Sequence, residues 1–232
     1  GNVIDPLQIF EHYGTDAARF TLLASAAPGN DISLQYSKLE TYRNFCNKIW
    51  NAARFVLMNT DEADLASASE GVAVPLSLAD RWMDSVLHRT IAEVTRDLEE
   101  FRFHEAARRL YHFFWHDFCD WYLELSKGAA TAPEDSPARR AARRRLREVL
   151  ETSLRLLHPF MPFITEELWQ RLPHEGETIC LAPYPTADPA RIDPVAEREM
   201  ETIIEVITRV RNIRAVMNID PAERVRLLVR PV

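Results

Sequence analysis

The segment from Ser37 to Asn59, SKLETYRNFCNKIWNAARFVLMN, constrains the chain more than any other, because only a helix sorts its side chains into faces. Ser37 and Glu40 have the spacing of a capping box, in which each side chain satisfies a backbone N–H of the other, so a helix is expected to start at Ser37. Leu39, Tyr42, Cys46, Ile49, Trp50, Ala53 and Leu57 recur at helical spacing and predict one apolar face. Asn44, Lys48, Asn51 and Phe55 follow one another at i, i+4, i+7 and i+11 and predict a second stripe directed away from that core. A large ring on an outer face needs a partner, either a neighbouring helix or loop, or an unpaired base. Rings stack bases, amides bond base edges and a lysine meets phosphate, which is how single-stranded loops of RNA are read. Patterning alone leaves both partners open.

The chain has 232 residues, 47% of them hydrophobic and only six glycine, which suits a compact, mostly α helical bundle. No run approaches the length of a membrane span and the start lacks a signal-peptide layout, so a soluble cytoplasmic protein with no membrane contact is expected. Cys46, Cys119 and Cys180 show no C-x-x-C spacing and read as reduced core residues. The net charge of −7 has the wrong sign for a general nucleic-acid binder, so any RNA contact must come from local patches. Two exist. Residues 138–157 carry seven arginines against Glu148 and Glu151, and the opening helix carries Lys38, Arg43, Lys48 and Arg54 against Glu40. Arg139, Arg140, Arg143, Arg144 and Arg147 form a stripe that is either a solvated face or a contact for an RNA backbone.

Along the chain, GNVI reads as extended, and Pro6 after Asp5 suits the first turn of a short helix ending near His12 and closed by Gly14. Thr15 is expected to cap a second helix, in which Asp16 and Arg19 would pair at i, i+3. Thr60 to Ser77 reads as a linker. A long helix is expected from Ser77 or Asp80 with Trp82, Val86, Ile91, Val94, Leu98 and Phe101 in period. A second runs from about Phe103 with Leu110, Phe113, Phe114, Trp121 and Leu125 inward, and Gly128 ends it. After the loop ATAPEDS, Pro137 opens a helix with Leu146, Val149, Leu150, Ser153, Leu154 and Leu157 inward, broken at His158-Pro159. A short helix from Pro162 would carry Phe163, Leu168 and Trp169. Thr178 to Tyr184 and Arg224 to Arg230 suit short strands, either side of a helix from about Ala196 to Val216 with Met200, Ile203, Ile204, Ile207 and Val210 apolar.

Catalytic signatures are lacking: no Gly-rich phosphate loop, no G-x-S-x-G elbow, no paired carboxylates in a plausible cleft. His112 and His116 stand at i, i+4 with Cys119 and Asp120 one turn on, a spacing that can hold a transition metal. Without an HExxH glutamate, and crowded by Phe and Trp, they read as core-edge histidines, while Asp117 and Asp120 are expected to hold neighbouring Arg or Trp side chains.

Four blocks carry a likeness: GNVIDPL at 1–7 with TDAARF at 15–20, RNFCNKIWNAARFVLMN at 43–59, HPFMPFITEELWQRL at 158–172, and VRNIRAVMNI at 210–219. Together they resemble the anticodon-binding region of bacterial-type valyl-tRNA synthetases, class Ia enzymes, more closely than the isoleucyl or leucyl relatives. The resemblance implies a piece that starts just after the KMSKS loop. Residues 1–36 would be a connective segment, 37–172 the helical-bundle anticodon-binding domain, and 173–232 an extension with a helix and a small strand element, short of a coiled-coil arm. It implies the anticodon arm of valine tRNA and the rest of a monomeric synthetase as partners, no cofactor or metal in this piece, and ATP and Mg used elsewhere in the parent ligase. Lys48 and Phe55 match the family's helix position by position. With Asn44, Asn51, Arg43, Arg54, Arg139, Arg143 and Arg147 they are the expected tRNA-binding residues, and no catalytic residue is expected. Some relatives place an arginine where this chain has Ser37. A protein-interaction module of helices is the reading from a different class.

Overall fold

The computed structural model describes residues 5–27, 29, 34–60, 74–220 and 223–228. Helix α1 (Pro6–Tyr13) starts where the Asp5 carboxylate accepts the Leu7 N–H at 3.0 Å, and it ends at Gly14, whose φ of +88° suits a residue without a side chain. Helix α2 (Thr15–Ser25) follows directly, so Thr15 lies inside the helix and caps nothing. Asp16 makes no intrahelical pair with Arg19. Its carboxylate accepts the N–H groups of Phe163 and Ile164 at 3.3 and 2.7 Å, and so caps helix α8 (Pro162–Trp169) from the far end of the sequence. Arg19 donates to the Pro159 carbonyl beside it.

Helix α3 (Tyr36–Asn59) begins one residue earlier than expected, and the Ser37–Glu40 capping box does not form. Ser37 already lies in the first turn and lends its carbonyl to the Thr41 hydroxyl. The same motif does form at Ser77, which accepts from the Asp80 N–H while Asp80 accepts the Ser77 N–H, opening helix α4 (Leu78–Glu99). Helix α4 stops in a left-handed residue, Phe101 (φ +58°), which is thereby swung out to 76% exposure instead of joining the core. Just before this turn Asp97 is fully buried, its two oxygens accepting from Arg102 at 2.6 Å and Arg109 at 2.7 Å.

Next comes one unbroken run of helix in three parts: α5 (Phe103–His112), a π-helical segment (Phe113–Tyr122) and α6 (Leu123–Ala130). A π turn bonds i to i+5, so each turn takes up extra residue length and rotates everything downstream. Leu110, Phe113 and Phe114 face inward as an α pattern predicts. Beyond them the phase shifts: Phe118, Cys119, Tyr122, Leu123 and Ser126 are buried, Trp121 is half-exposed and Leu125 is exposed. Gly128 lies within α6, which continues to Ala130.

Helix α7 (Pro137–Leu157) is capped by Ser136, and its inward Leu146, Val149, Leu150, Ser153, Leu154 and Leu157 are all buried. The turn after it buries Phe160 and Met161, and α8 buries Leu168 and Trp169 while Phe163 stays 64% exposed. Thr178 to Tyr184 forms a 3-10 turn at Ile179–Leu181 and no strand. A second 3-10 turn at Pro189–Arg191 leads to α9 (Pro194–Val216). Residues 224–228 have no regular secondary structure; residues 229 and 230 lie outside the described residues, as do 1–4 and most of the expected linker, 61–73. Among the described residues there is no strand, because an extended run without a neighbouring strand leaves its N–H groups unpaired. Cys180 is exposed, unlike buried Cys119 and half-buried Cys46.

Most of the helices close on one core, while Ile9, Ala18 and Leu39 form a second, smaller cluster between α1, α2 and α3. Phe20 of α2 meets Phe45 of α3 at 5.4 Å between ring centroids, Phe45 meets Phe114 of the π segment at 6.0 Å, and Phe20 meets Phe160 at 6.0 Å. Ile179, Ala196 and Met200 belong to the same core. Helix α9 is clamped to α4 by polar contacts: the Ser85 hydroxyl accepts the Asp193 N–H at 2.7 Å and donates to Glu197, which also takes Arg89 at 3.0 Å. Further along α9 the apolar set thins out, and Ile203 is 40% exposed.

Two carboxylates differ in what burial does to them. Asp97 has both oxygens matched by guanidinium N–H groups, so its removal takes the buried partner from Arg102 and Arg109 and leaves them only the more exposed Glu100 and Glu93. Asp97→Ala is expected to destabilise the chain by about 3 kcal/mol in urea unfolding, whereas Arg108→Ala, which breaks an exposed pair with Glu105, is expected to cost about 0.5 kcal/mol or less. Asp117, in the π segment, has only His112 within 3.5 Å, and burial pushes its carboxyl up to about 6. A folded-state pKa above the unfolded one means that ionisation weighs against folding. That cost grows from about pH 4, the unfolded value, to about pH 6, then levels off. Asp117→Asn is therefore expected to raise the melting temperature at pH 7 to 8, by the equivalent of about 1–2 kcal/mol, and to give no gain near pH 3.5.

Candidate nucleic-acid interface

The face of α3 that meets the core is Leu39, Phe45, Ile49, Ala52, Ala53 and Val56. This seam is rotated from the expected one: Tyr42, Cys46 and Leu57 sit at its edge, and Trp50 lies outside it at 38% exposure, with the Arg171 guanidinium 5.3 Å from its ring. The rotation matters for the second stripe. Asn44 and Asn51 are exposed, but Lys48 and Phe55 are half-buried, and Phe55 packs against the core. The stripe therefore does not point directly away from the core. It runs along the flank of α3 that adjoins the π segment and α6.

Across that boundary stand side chains which the sequence did not single out for RNA. The Lys48 ammonium lies 2.9 Å from Asp120 Oδ1 and 5.1 Å from the centre of the Trp115 ring. Asp120 Oδ2 lies 3.2 Å from His116 Nδ1, and His116 is about half-exposed. Trp115 stacks on Tyr111 at 5.5 Å, which fixes its ring plane. The Lys127 ammonium sits 5.7 Å from the Phe55 centroid and pairs with Glu124 at 2.5 Å. Two amides, two rings and two cations thus share one surface of α3, the π segment and α6. Cations over aromatic faces are held in place by the ring quadrupole, so both rings and both ammonium groups are presented in defined positions.

The remaining expected residues lie elsewhere. Arg43 and Arg54 are exposed on α3 and form no ion pair among the described residues. Arg43 lines a cavity of about 400 Å³ with His12, Asp16, Asn47 and Phe163, on the other flank of α3. The arginine row of α7 is half-buried throughout, not a solvated face. Arg143 donates to the carbonyl of Ala130, the last residue of α6, at 2.8 Å, and Arg139 to the Ala132 carbonyl in the loop beyond it at 3.1 Å. Arg147 is also engaged. The structure therefore brings Asn44, Lys48, Asn51 and Phe55 together and leaves Arg43, Arg54 and the α7 arginines apart from them. The sequence offers Trp115 and Lys127 no role and shows His116 and Asp120 only as a metal spacing, because cation–ring and ion pairs between helices leave no local pattern.

The titratable groups offer little to catalysis. Burial pushes the Cys46 and Cys119 thiols up to about 12, so neither is a thiolate nucleophile near neutrality. His112 and His116 pair with Asp117 and Asp120, and among the described residues no group of three or more His, Cys, Asp or Glu could hold a metal ion. In a cavity of about 460 Å³ between α4, α7 and the segment 183–191, Tyr122 donates to Asp80 at 2.8 Å, and beside it the Asp188 N–H donates to His88 Nδ1. Among the described residues no helix is long and apolar enough to cross a membrane.

Residues 80–229 match the family model described as the anticodon-binding domain of tRNA ligase. A valine–tRNA ligase of Bacillus cereus is 45% identical over 230 residues, covering 99% of this chain and 26% of the relative. One from Pseudothermotoga lettingae is 47% identical over 229 residues, again 26% of its length. The chain thus spans about a quarter of the length of the curated relatives it matches. A solved chain from a ternary complex of Agrobacterium radiobacter LeuRS, tRNA and LeuAMS shares the fold, with a TM-score of 0.59 at 24% identity, covering 83% of this chain and 22% of that one. The helical bundle and the residues matched place this chain in the family of anticodon-binding domains of tRNA ligases.

Proposed function

We propose that this chain binds the anticodon arm of valine tRNA and holds it so that the acceptor end reaches the active site of a parent valine–tRNA ligase. The observation that carries the reading is the α3 flank, where Asn44, Lys48, Asn51 and Phe55 present amides, an ammonium and a ring within one helical stripe. Bases splayed from an anticodon loop stack on Phe55 or hydrogen-bond to Asn44, Lys48 and Asn51. Exposed Arg43 and Arg54 draw in the backbone from the side, while Arg139, Arg143 and Arg147 add positive charge further off. Valine is named because relatives at 45–47% identity over nearly the whole chain are valine–tRNA ligases. ATP and Mg²⁺ serve the ligation outside this chain, in a cytoplasmic, monomeric parent.

The test is a titration with valine tRNA, and with the same tRNA altered only at the anticodon, at 50 and 200 mM salt. Wild-type affinity is expected to fall with salt, by a slope of about 0.7–0.9 per phosphate neutralised, and to fall for the altered anticodon. Phe55→Ala is expected to weaken cognate binding by about 1–3 kcal/mol, with a melting curve to show that the bundle persists. Stronger binding of an isoleucine or leucine tRNA would move the assignment to a sibling enzyme. Salt-insensitive capture of a protein, with no RNA affinity, would favour an interaction module.

A further inference from the structure

Resting on that reading, we propose that Asp120 is a positioning residue which makes the surface selective, by withholding Lys48 from RNA that offers only phosphate. The observation is a carboxylate in the middle of a surface meant for a polyanion. Asp120 is gripped from two sides, by Lys48 at 2.9 Å on one oxygen and by His116 at 3.2 Å on the other. Trp115 lies 5.1 Å from the ammonium and Tyr111 backs Trp115, so the pair is held in one geometry. Both charged side chains are about one-third exposed, 32% for Lys48 and 37% for Asp120. The pair is therefore reachable and weak enough to be exchanged.

Exchange has a direction. A phosphate that takes Lys48 leaves the Asp120 carboxylate beside it, and two anions then face each other across one cation. A base edge that carries an N–H donor next to an acceptor does better, since its donor serves the Asp120 oxygen while its acceptor takes Lys48. Asp120 thus penalises sequence-blind contact and favours a base presented edge-on, which is selection by repulsion of the wrong ligand. Asn44 and Asn51, exposed on the same stripe, flank that position with further donors and acceptors. Asp117, one turn earlier, is taken up by His112 at 3.5 Å, so Asp120 is the carboxylate that meets Lys48.

The experiment compares wild type, Asp120→Asn and the double variant Asp120→Asn/Lys48→Met, each as the 232-residue chain and each checked by a melting curve. The probes are valine tRNA, the same tRNA altered at its anticodon, and a uridine homopolymer, each over a salt series. Asp120→Asn is expected to bind the homopolymer about 3- to 10-fold more tightly at 50 mM salt, to steepen the salt slope by about 0.7, and to narrow the preference for the cognate anticodon about tenfold. The added Lys48→Met change is expected to abolish the gain in slope. If Asp120→Asn weakens all three RNAs alike with no change in slope, the ion pair only joins α3 to the π segment and the proposal is overturned. Wild type that prefers the cognate anticodon, with Asp120→Asn preferring it equally, overturns the proposal and leaves the RNA reading intact. Wild type that binds RNA without anticodon preference overturns the anticodon reading, and an unchanged homopolymer slope would then remove this one too. Absence of any RNA binding by wild type and variants overturns both.

Discussion

The wide turns between Phe113 and Tyr122 are the constraint on which much of this molecule depends. A π turn has poorer hydrogen-bond geometry than an α turn, so it persists only where packing compensates. Here the compensation is visible in Phe113, Phe114, Phe118 and Tyr122, all buried at 2% exposure or less. Burying each ring from water contributes on the order of 2–3 kcal/mol. The rotated phase gives the long helix two working sides. One lays Phe114, Phe118 and Tyr122 against α4 and the core, while the other sets Trp115, His116 and Asp120 beside α3.

This explains which parts of the fold were legible in the sequence. Signals closed within a few residues read true: Pro6 after Asp5, the Gly14 stop, the helix start at Ser77 or Asp80 and Pro137 in the first turn of its helix. Ser37–Glu40 shows the limit of the same rule. The motif fits, but Tyr36 already packs near Tyr13, at 6.3 Å between ring centroids, and the helix begins upstream of the serine. Tertiary contact outweighed a local cap. Phe101 and Leu125 were assigned inward by continuing a period past the point where the backbone changed, at a left-handed turn in one case and through the π segment in the other.

The candidate site was legible in half. Asn44, Lys48, Asn51 and Phe55 lie on one helix and show on a wheel, whereas Asp120 and Lys127 each stand 72 residues beyond the side chain they meet. Charge misled more than pattern did. The densest run of arginines has the look of an anion-binding face, yet Arg143 donates to the carbonyl that ends α6 and Arg139 to one in the loop that follows. An arginine-rich helix can serve as mortar for a loop. In a chain of net charge −7 the cations that matter to an anionic partner are the few left accessible.

One distant pairing shapes how the chain assembles. The Asp16 carboxylate finds its two N–H donors 147 and 148 residues further along, and Arg19 finds the Pro159 carbonyl 140 residues on. Closing so long a loop is a late event in folding. On a ribosome, α2 is made long before the turn it holds, and until residues 159–164 emerge its Ala17 and Phe20 lack much of the cover they have in the finished core. The opening helices must therefore wait, apolar side uncovered, for the last corner of the bundle. That interval, rather than the folded state, is where this chain is most exposed to misassembly.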